Sequence, residues 1–358
     1  YDTEEKKRAH FERNRVLLEK MIEEEPLSLR WRLQLLQEYR TMDDYGQMDR
    51  LGQAGIAMIG SSDTEESCIY IGSFYAARIL AADGRNDFGQ VYRLCREAAA
   101  DARNTKLCHA FLDEMLAKAC FYQGLYADKP KLARETYLDS EQYAQGYLEL
   151  QSYFEAHKEE LYRQQIAPFV GECFDVVKCK EIYSIRICNG LKLNSTDNLE
   201  KYIDKLCWNE PHVYVFEEIA AILIEAMNKP DYEMKPEDER FHAFSRTIGI
   251  MHGQDALWEY FCGEIQSLER QGCDVQQLLQ LIAATIPQEP CDEDEVLEKP
   301  AEMTPEMQQL VAQIKEQLQL LIRQGLTEQA GEVVAQLKTM VPCGTELDEL
   351  EKQLEKGQ

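Results

Sequence analysis

Asp292-Glu293-Asp294 is a D-x-D, a short acidic pattern able to hold a divalent metal against a diphosphate. Such a site needs its carboxylates fixed at a strand end in a nucleotide-binding sheet. Here they stand in a Pro-rich acidic run between helical stretches, and we read them as a solvated charge run. The 12 cysteines are the next candidates, but no two are spaced C-x-x-C and no histidine pair adjoins a cysteine pair at zinc-finger spacing. Most lie within amphipathic helical patterns, where a reduced thiol packs as a small hydrophobe. The six histidines form no H-E-x-x-H set, and no G-x-S-x-G, Walker loop or G-x-G-x-x-G is present. Asn194-Ser195-Thr196 is a formal glycosylation sequon, without meaning in a chain expected to be cytoplasmic. No catalytic residue, metal ligand or cofactor site is assigned from the sequence.

The remaining candidates are binding residues. Arg30, Gln37 and Arg40 share one face of the helical stretch after Pro26, and two arginines so placed can hold an acidic peptide through charge-assisted bonds. In the C-terminal unit the same positions are Ala312, Gln319 and Ile322, with Lys315 between the first two, so Lys315 and Gln319 are the polar candidates there. The bland alternative is a solvated helix face.

The elements that would carry these residues are helices in pairs. Gln313 to Pro342 fits the 34-residue tetratricopeptide pattern in register. Leu321 takes the first-helix aromatic position, Gly325 the turn, Ala330 the small-residue position, Val334 the bulky one and Pro342 the closing proline. Ala330 lets the second helix approach the first, while Gly325 can adopt a left-handed conformation and Pro342 cannot continue a helix. Ile314 replaces the usual Trp, and Gln317 sits where Leu is usual. A degenerate copy follows Pro26: Tyr39 falls at the aromatic position, Asp43-Asp44-Tyr45 in the turn, and Gln47–Ile59 forms the second helix, with Met48 and Gly52 as poor matches.

Helical spacing recurs along the chain. Glu65–Ala82 carries Tyr70, Phe74 and Ile79 on its inner face, broken by Asp83-Gly84-Arg85-Asn86 before Phe88–Ala102. Helices are then predicted over Thr105–Gly124, Lys129–Leu138 and Glu141–Gln164, the last striped with Tyr143, Tyr147, Leu150, Phe154 and Leu161. That stripe reads as repeat core more readily than as a ligand groove. From Pro168 a helix runs to about Asn189 with Gly190 as its stop, and its segment Ile182–Ile187 is the one place a strand is conceivable. Ser195 or Thr196 caps a helix through Cys207, and others cover Val213–Met227, Pro236–Met251, Gln254–Gln271 and Val275–Ile286. The expected fold class is therefore all-α, a tetratricopeptide-like superhelical array over 1–286. An acidic Pro-rich linker at 287–303 and a C-terminal hairpin with a capping helix at 304–358 complete it.

Charge narrows the partners. With 65 acidic against 39 basic residues the net charge is −26, a field that repels a phosphate backbone and anionic membrane surfaces. No apolar run is long enough to span a bilayer; the best are Ile219–Ile224 and Leu278–Ile286, interrupted by Gln280. The expected partner is a polypeptide, or a second copy of the chain. A start at Tyr1, on a charged helix without Met or signal peptide, points to a piece of a longer protein.

Both ends resemble one family. The charged helix containing Arg13-Asn14-Arg15-Val16-Leu17-Leu18-Glu19, closed by Pro26, resembles the segment that follows the catalytic domain in bacterial family 2 glycosyltransferases with a helical tetratricopeptide tail. The ending, with Lys315, Leu321-Ile322, Gly325, Ala330 and Pro342, is similar to the close of such tails. The middle, about Thr105 to Ile286, matches nothing in them. The resemblance implies a non-catalytic tail that holds an acceptor protein or its own catalytic domain, or that self-associates. The family's nucleotide-sugar site and metal-binding acids have no counterpart here, so no catalytic residue carries over. The alternative is a free-standing peptide-binding adaptor that belongs to no enzyme.

Overall fold

The computed structural model describes residues 3–164, 173–206, 216–232, 235 and 237–286. Among them are fourteen α-helices and no strand, so the described region is all-α. The first seven are α1 (Glu4–Glu24), α2 (Leu29–Thr41), α3 (Tyr45–Ile59), α4 (Glu65–Asp83), α5 (Phe88–Ala99), α6 (Lys106–Leu125) and α7 (Pro130–Ala156). The short α8 (Lys158–Gln164) leads to α9 (Val176–Lys192), α10 (Asp197–Tyr202) with a 3-10 turn at Ile203–Lys205, and α11 (Phe216–Met227). Then come α12 (Glu239–His252), α13 (Asp255–Arg270) and α14 (Gln276–Thr285). The expected linker at 287–303, the hairpin at 304–358 and Asp292-Glu293-Asp294 lie outside the described residues.

Local chemistry sets the boundaries. Thr3, Ser28, Asp44, Thr64, Asp87, Thr105, Asp175 and Asp238 each accept a hydrogen bond from a backbone N–H of the helix they precede. Each satisfies a donor the helix leaves unpaired. The ends of α2 and α4 are built alike. After α2, Asp43 turns left-handed at φ 53°, the Asp44 N–H reaches the Tyr39 carbonyl at 3.1 Å, and Asp44 caps α3. After α4, Asn86 does so at φ 56°, the Asp87 N–H reaches the Ala82 carbonyl at 3.0 Å, and Asp87 caps α5. Asp43-Asp44-Tyr45-Gly46-Gln47 and Asn86-Asp87-Phe88-Gly89-Gln90 are thus one turn used twice, 43 positions apart. The same five-residue-back bond follows Asn194 (φ 66°) and Gly272 (φ 89°), where the N–H groups of Ser195 and Cys273 reach the carbonyls of Gly190 and Leu268. This is the αL closure by which helices commonly end.

Each helix from α1 to α7 packs on its chain neighbours, and α2 also touches α4 while α4 touches α6. Small residues set the approach of α3 to α4: a Cβ on Gly55 would fall 2.4 Å from the Phe74 ring, and one on Gly52 2.9 Å from the Phe74 carbonyl. Met48 and Gly52, poor matches to the repeat pattern, are both buried at this contact. Helix α6 is buried on nearly every side and, with α7, contributes to two hydrophobic cores. Leu107, Phe111, Met115 and Phe154 join the core beneath α1–α5, whereas Phe121, Tyr137 and Tyr147 join the core formed with α9–α14.

The structure departs from the sequence reading around α7 and Gly190, and the helix expected through Cys207 is α10 ending at Tyr202, with no side-chain cap from Thr196. Lys129–Leu138 and Glu141–Gln164 are not two helices. Residues 130–156 are continuous, because the Ser140 hydroxyl donates to the Ala117 carbonyl and ties the intervening turn to α6. The break comes instead at His157, whose N–H bonds the Phe154 carbonyl. Ile182–Ile187 is helical, as the reading of a helix to about Asn189 expected, and its isoleucines are buried against the second core. Gly190 lies inside α9 and serves close packing, since a Cβ there would meet the Ser195 carbonyl at 3.1 Å.

Candidate functional site

Two adjoining clefts form a trough along α7. At one end a cleft of about 540 Å³ has Gln145, Glu149 and Glu155 of α7 on one side and Tyr183, Lys201 and Lys205 on the other. A second cleft of about 340 Å³ is lined by Phe154, Leu161, Tyr162 and Phe174. Gln151 and Glu155 line both, so the two adjoin. The first is charged; the second is largely apolar, with Lys158 and Glu155 also in its lining. Residues 145 to 155, within the unbroken α7, rise about 15 Å, the length of about four to five residues of extended chain.

The charged wall is held rigidly. Tyr183 of α9 stacks on Tyr202 with ring centroids 5.0 Å apart and planes 13° from parallel. Beneath them Arg186, buried, donates to Gln145 and to the Tyr202 hydroxyl, each at 2.7 Å, and to Glu141 at 2.9 Å. Asn198 donates to Glu141 and to the Arg186 carbonyl, locking α10 onto α7 and α9. Lys201 and Lys205 stand over this platform, their ammonium groups 5.1 and 5.4 Å from the Tyr202 ring centroid. Neither has a carboxylate partner among the described residues, whereas Asp204 between them pairs with Arg246.

Two carboxyls under α7 are displaced from ordinary behaviour. Burial, with Glu149 nearby, pushes the Asp113 carboxyl up to about 7. Asp113 occupies the space a side chain at Gly146 would take, since a Cβ there would lie 2.7 Å from Oδ2. Burial likewise pushes Glu114 up to about 7, against the pull of Lys178 Nζ at 3.2 Å. Lys118 lies between Asp83 at 3.0 Å and Glu181 at 3.5 Å, linking α4, α6 and α9. These ions join helices beneath the trough and do not line it.

The residues singled out in the sequence are placed as follows. Arg30 and Arg40 are exposed on α2 and Gln37 is half-buried; the Arg30 guanidinium lies 4.8 Å from the Trp31 ring centroid. None of the three lines the trough. Lys315 and Gln319 lie outside the described residues. The aromatic stripe of α7 is mostly core: Tyr147 and Phe154 are buried, while Phe154 and Leu161 also reach the apolar cleft. Tyr183, Lys201, Tyr202 and Lys205 went unsignalled because they form a site only once α9 and α10 fold together; the i, i+4 lysines were the one local cue. The described cysteines are unpaired, six of them buried, and burial pushes the Cys120 thiol up to about 12. Among the described residues no group of three His, Cys, Asp or Glu is placed to hold a metal, and no helix is long and apolar enough to cross a membrane.

A scan against protein-family models finds no match, and a search of curated proteins finds no relative.

Proposed function

We propose that this chain is a non-catalytic, tetratricopeptide-like helical array that binds polypeptide in the trough along α7. The observation that carries the reading is the pairing of the charged cleft with the apolar one through Gln151 and Glu155. A short run of extended residues offers alternating polar and bulky side chains on such a scale. The repeated αL turn after α2 and α4, with α2 touching α4 and α4 touching α6, supports stacked helix pairs as the scaffold.

The same reading takes the chain as the tail of a family 2 glycosyltransferase, serving to raise the local concentration of an acceptor protein or to hold its own catalytic domain. Its support is the Arg13-Asn14-x-x-Leu17-Leu18 stretch, in which Asn14 donates to Glu38 at 2.8 Å and so ties α1 to α2. Calorimetric titration of the 358-residue chain with nucleotide sugars plus Mn²⁺ or Mg²⁺, beside a hydrolysis assay, tests the non-catalytic part. No saturable heat and no released sugar is the expected result. Micromolar binding with turnover would overturn it.

A further inference from the structure

The charged end of the trough carries enough detail to name its ligand. In a chain of net charge −26, Lys201 and Lys205 form a cation pair, one helical turn apart, over a stacked tyrosine pair. Lys118, Lys178 and Lys192 each meet an acid on another helix, whereas these two meet only rings among the described residues. The tyrosines cannot be displaced cheaply, because Arg186 is hydrogen-bonded under Tyr202 and is itself buried. Two ammonium groups so held present donors to an incoming carboxylate at little cost in ordering. Glu149 and Glu155 form the facing wall, so a run of acids would be repelled while a single acid is accepted. Beyond Gln151 the trough gathers Phe154, Leu161 and Phe174, with Lys158 and Glu155 as an oppositely charged couple in the same lining, which suits one bulky side chain and no further net charge.

We propose that Lys201 and Lys205 are specificity-determining residues that select a polypeptide segment bearing one isolated Asp or Glu followed, a few residues on, by a bulky apolar or aromatic side chain. The inference rests on the reading of the α7 trough as a polypeptide site and adds the chemistry of its ligand. The facing acids make the selection two-sided. A basic segment gains from Glu149 and Glu155 but meets the lysine pair, and a uniformly acidic one meets the reverse.

The test is selection of a random heptapeptide library displayed on phage against the whole chain, repeated with the Lys201→Glu/Lys205→Glu and Lys201→Gln/Lys205→Gln variants. Thermal melting of each variant confirms folding, since both lysines are exposed and cap no core. Wild-type selection is expected to enrich one acid with a downstream aromatic or Leu/Ile/Met. Affinity for the winning peptide should fall about tenfold or more in both variants, the loss expected for a charge-assisted contact. The charge-reversed variant should enrich a basic residue at the same position. Enriched peptides that lack the acid, or that bind the variants equally, overturn the inference. If those peptides still compete with a photo-crosslinker at Gln151, the polypeptide-site reading survives. Absence of any enrichment overturns both.

Discussion

Asp113 ties the stability of the chain to pH. Its folded-state carboxyl titrates near 7 against an ordinary value of 3.8, so the folded chain holds this proton more tightly than the unfolded one. Stability from this group is therefore fully present below about pH 4, declines as pH rises, and is gone above about pH 7. Glu114 adds to the fall over the same window. Asp113→Asn should raise stability at pH 8 by about 1–2 kcal/mol, discounted for its partial exposure, and flatten the slope of melting temperature between pH 4 and 7. An unchanged slope would show that the carboxyl is not held in that environment. Packing gives a second residue-scale expectation. Gly55→Ala places a methyl 2.4 Å from the Phe74 ring and should cost about 1–3 kcal/mol by overpacking, whereas at Gly46 the nearest atom is 3.5 Å away and Ala should be neutral or stabilising. Denaturant midpoints of the two variants compare them directly.

At the scale of elements, the sequence was most legible where a helix begins or ends with chemistry of its own. The starts at Glu65, Phe88 and Lys106 follow from Thr64, Asp87 and Thr105, and the break after Asp83 follows from Gly84 to Asn86. Boundaries failed where tertiary contact overrode local signals. Ser140 looks like a loop residue but is buried against α6, and Gly190 looks like a stop but accommodates the Ser195 backbone. The 43-position recurrence of the turn was obscured by a 34-residue expectation. Of the site, the stripe on α7 was visible, but the wall facing it was not, since Tyr183 and Lys205 come together only through the α9–α10 connection. The shared turn yields its own expectation. Asp44→Ala and Asp87→Ala should each cost about 1 kcal/mol through loss of the N-cap, with nearly additive effects because they cap different helices. A large cost at one and none at the other would mean the two turns are not equivalent.

At the scale of the whole described region, α6 and α7 belong to both cores, so the two should not unfold separately. Phe121→Ala, emptying a fully buried ring site on α6, should cost about 3–5 kcal/mol. It should lower hydrogen-exchange protection in α3 as well as in α11. Loss confined to α9–α14 would show independent cores.

The account as a whole stands on the trough along α7 being a polypeptide site. Its most direct test is a photo-reactive benzoylphenylalanine at Gln151, the position common to both clefts, irradiated with the library-selected heptapeptide and mapped by mass spectrometry. The account predicts a single adduct at residue 151 that excess unlabelled peptide abolishes, while the same group at exposed Arg30 on α2 gives none. Crosslinking at Arg30 in place of Gln151, or at neither, would contradict it.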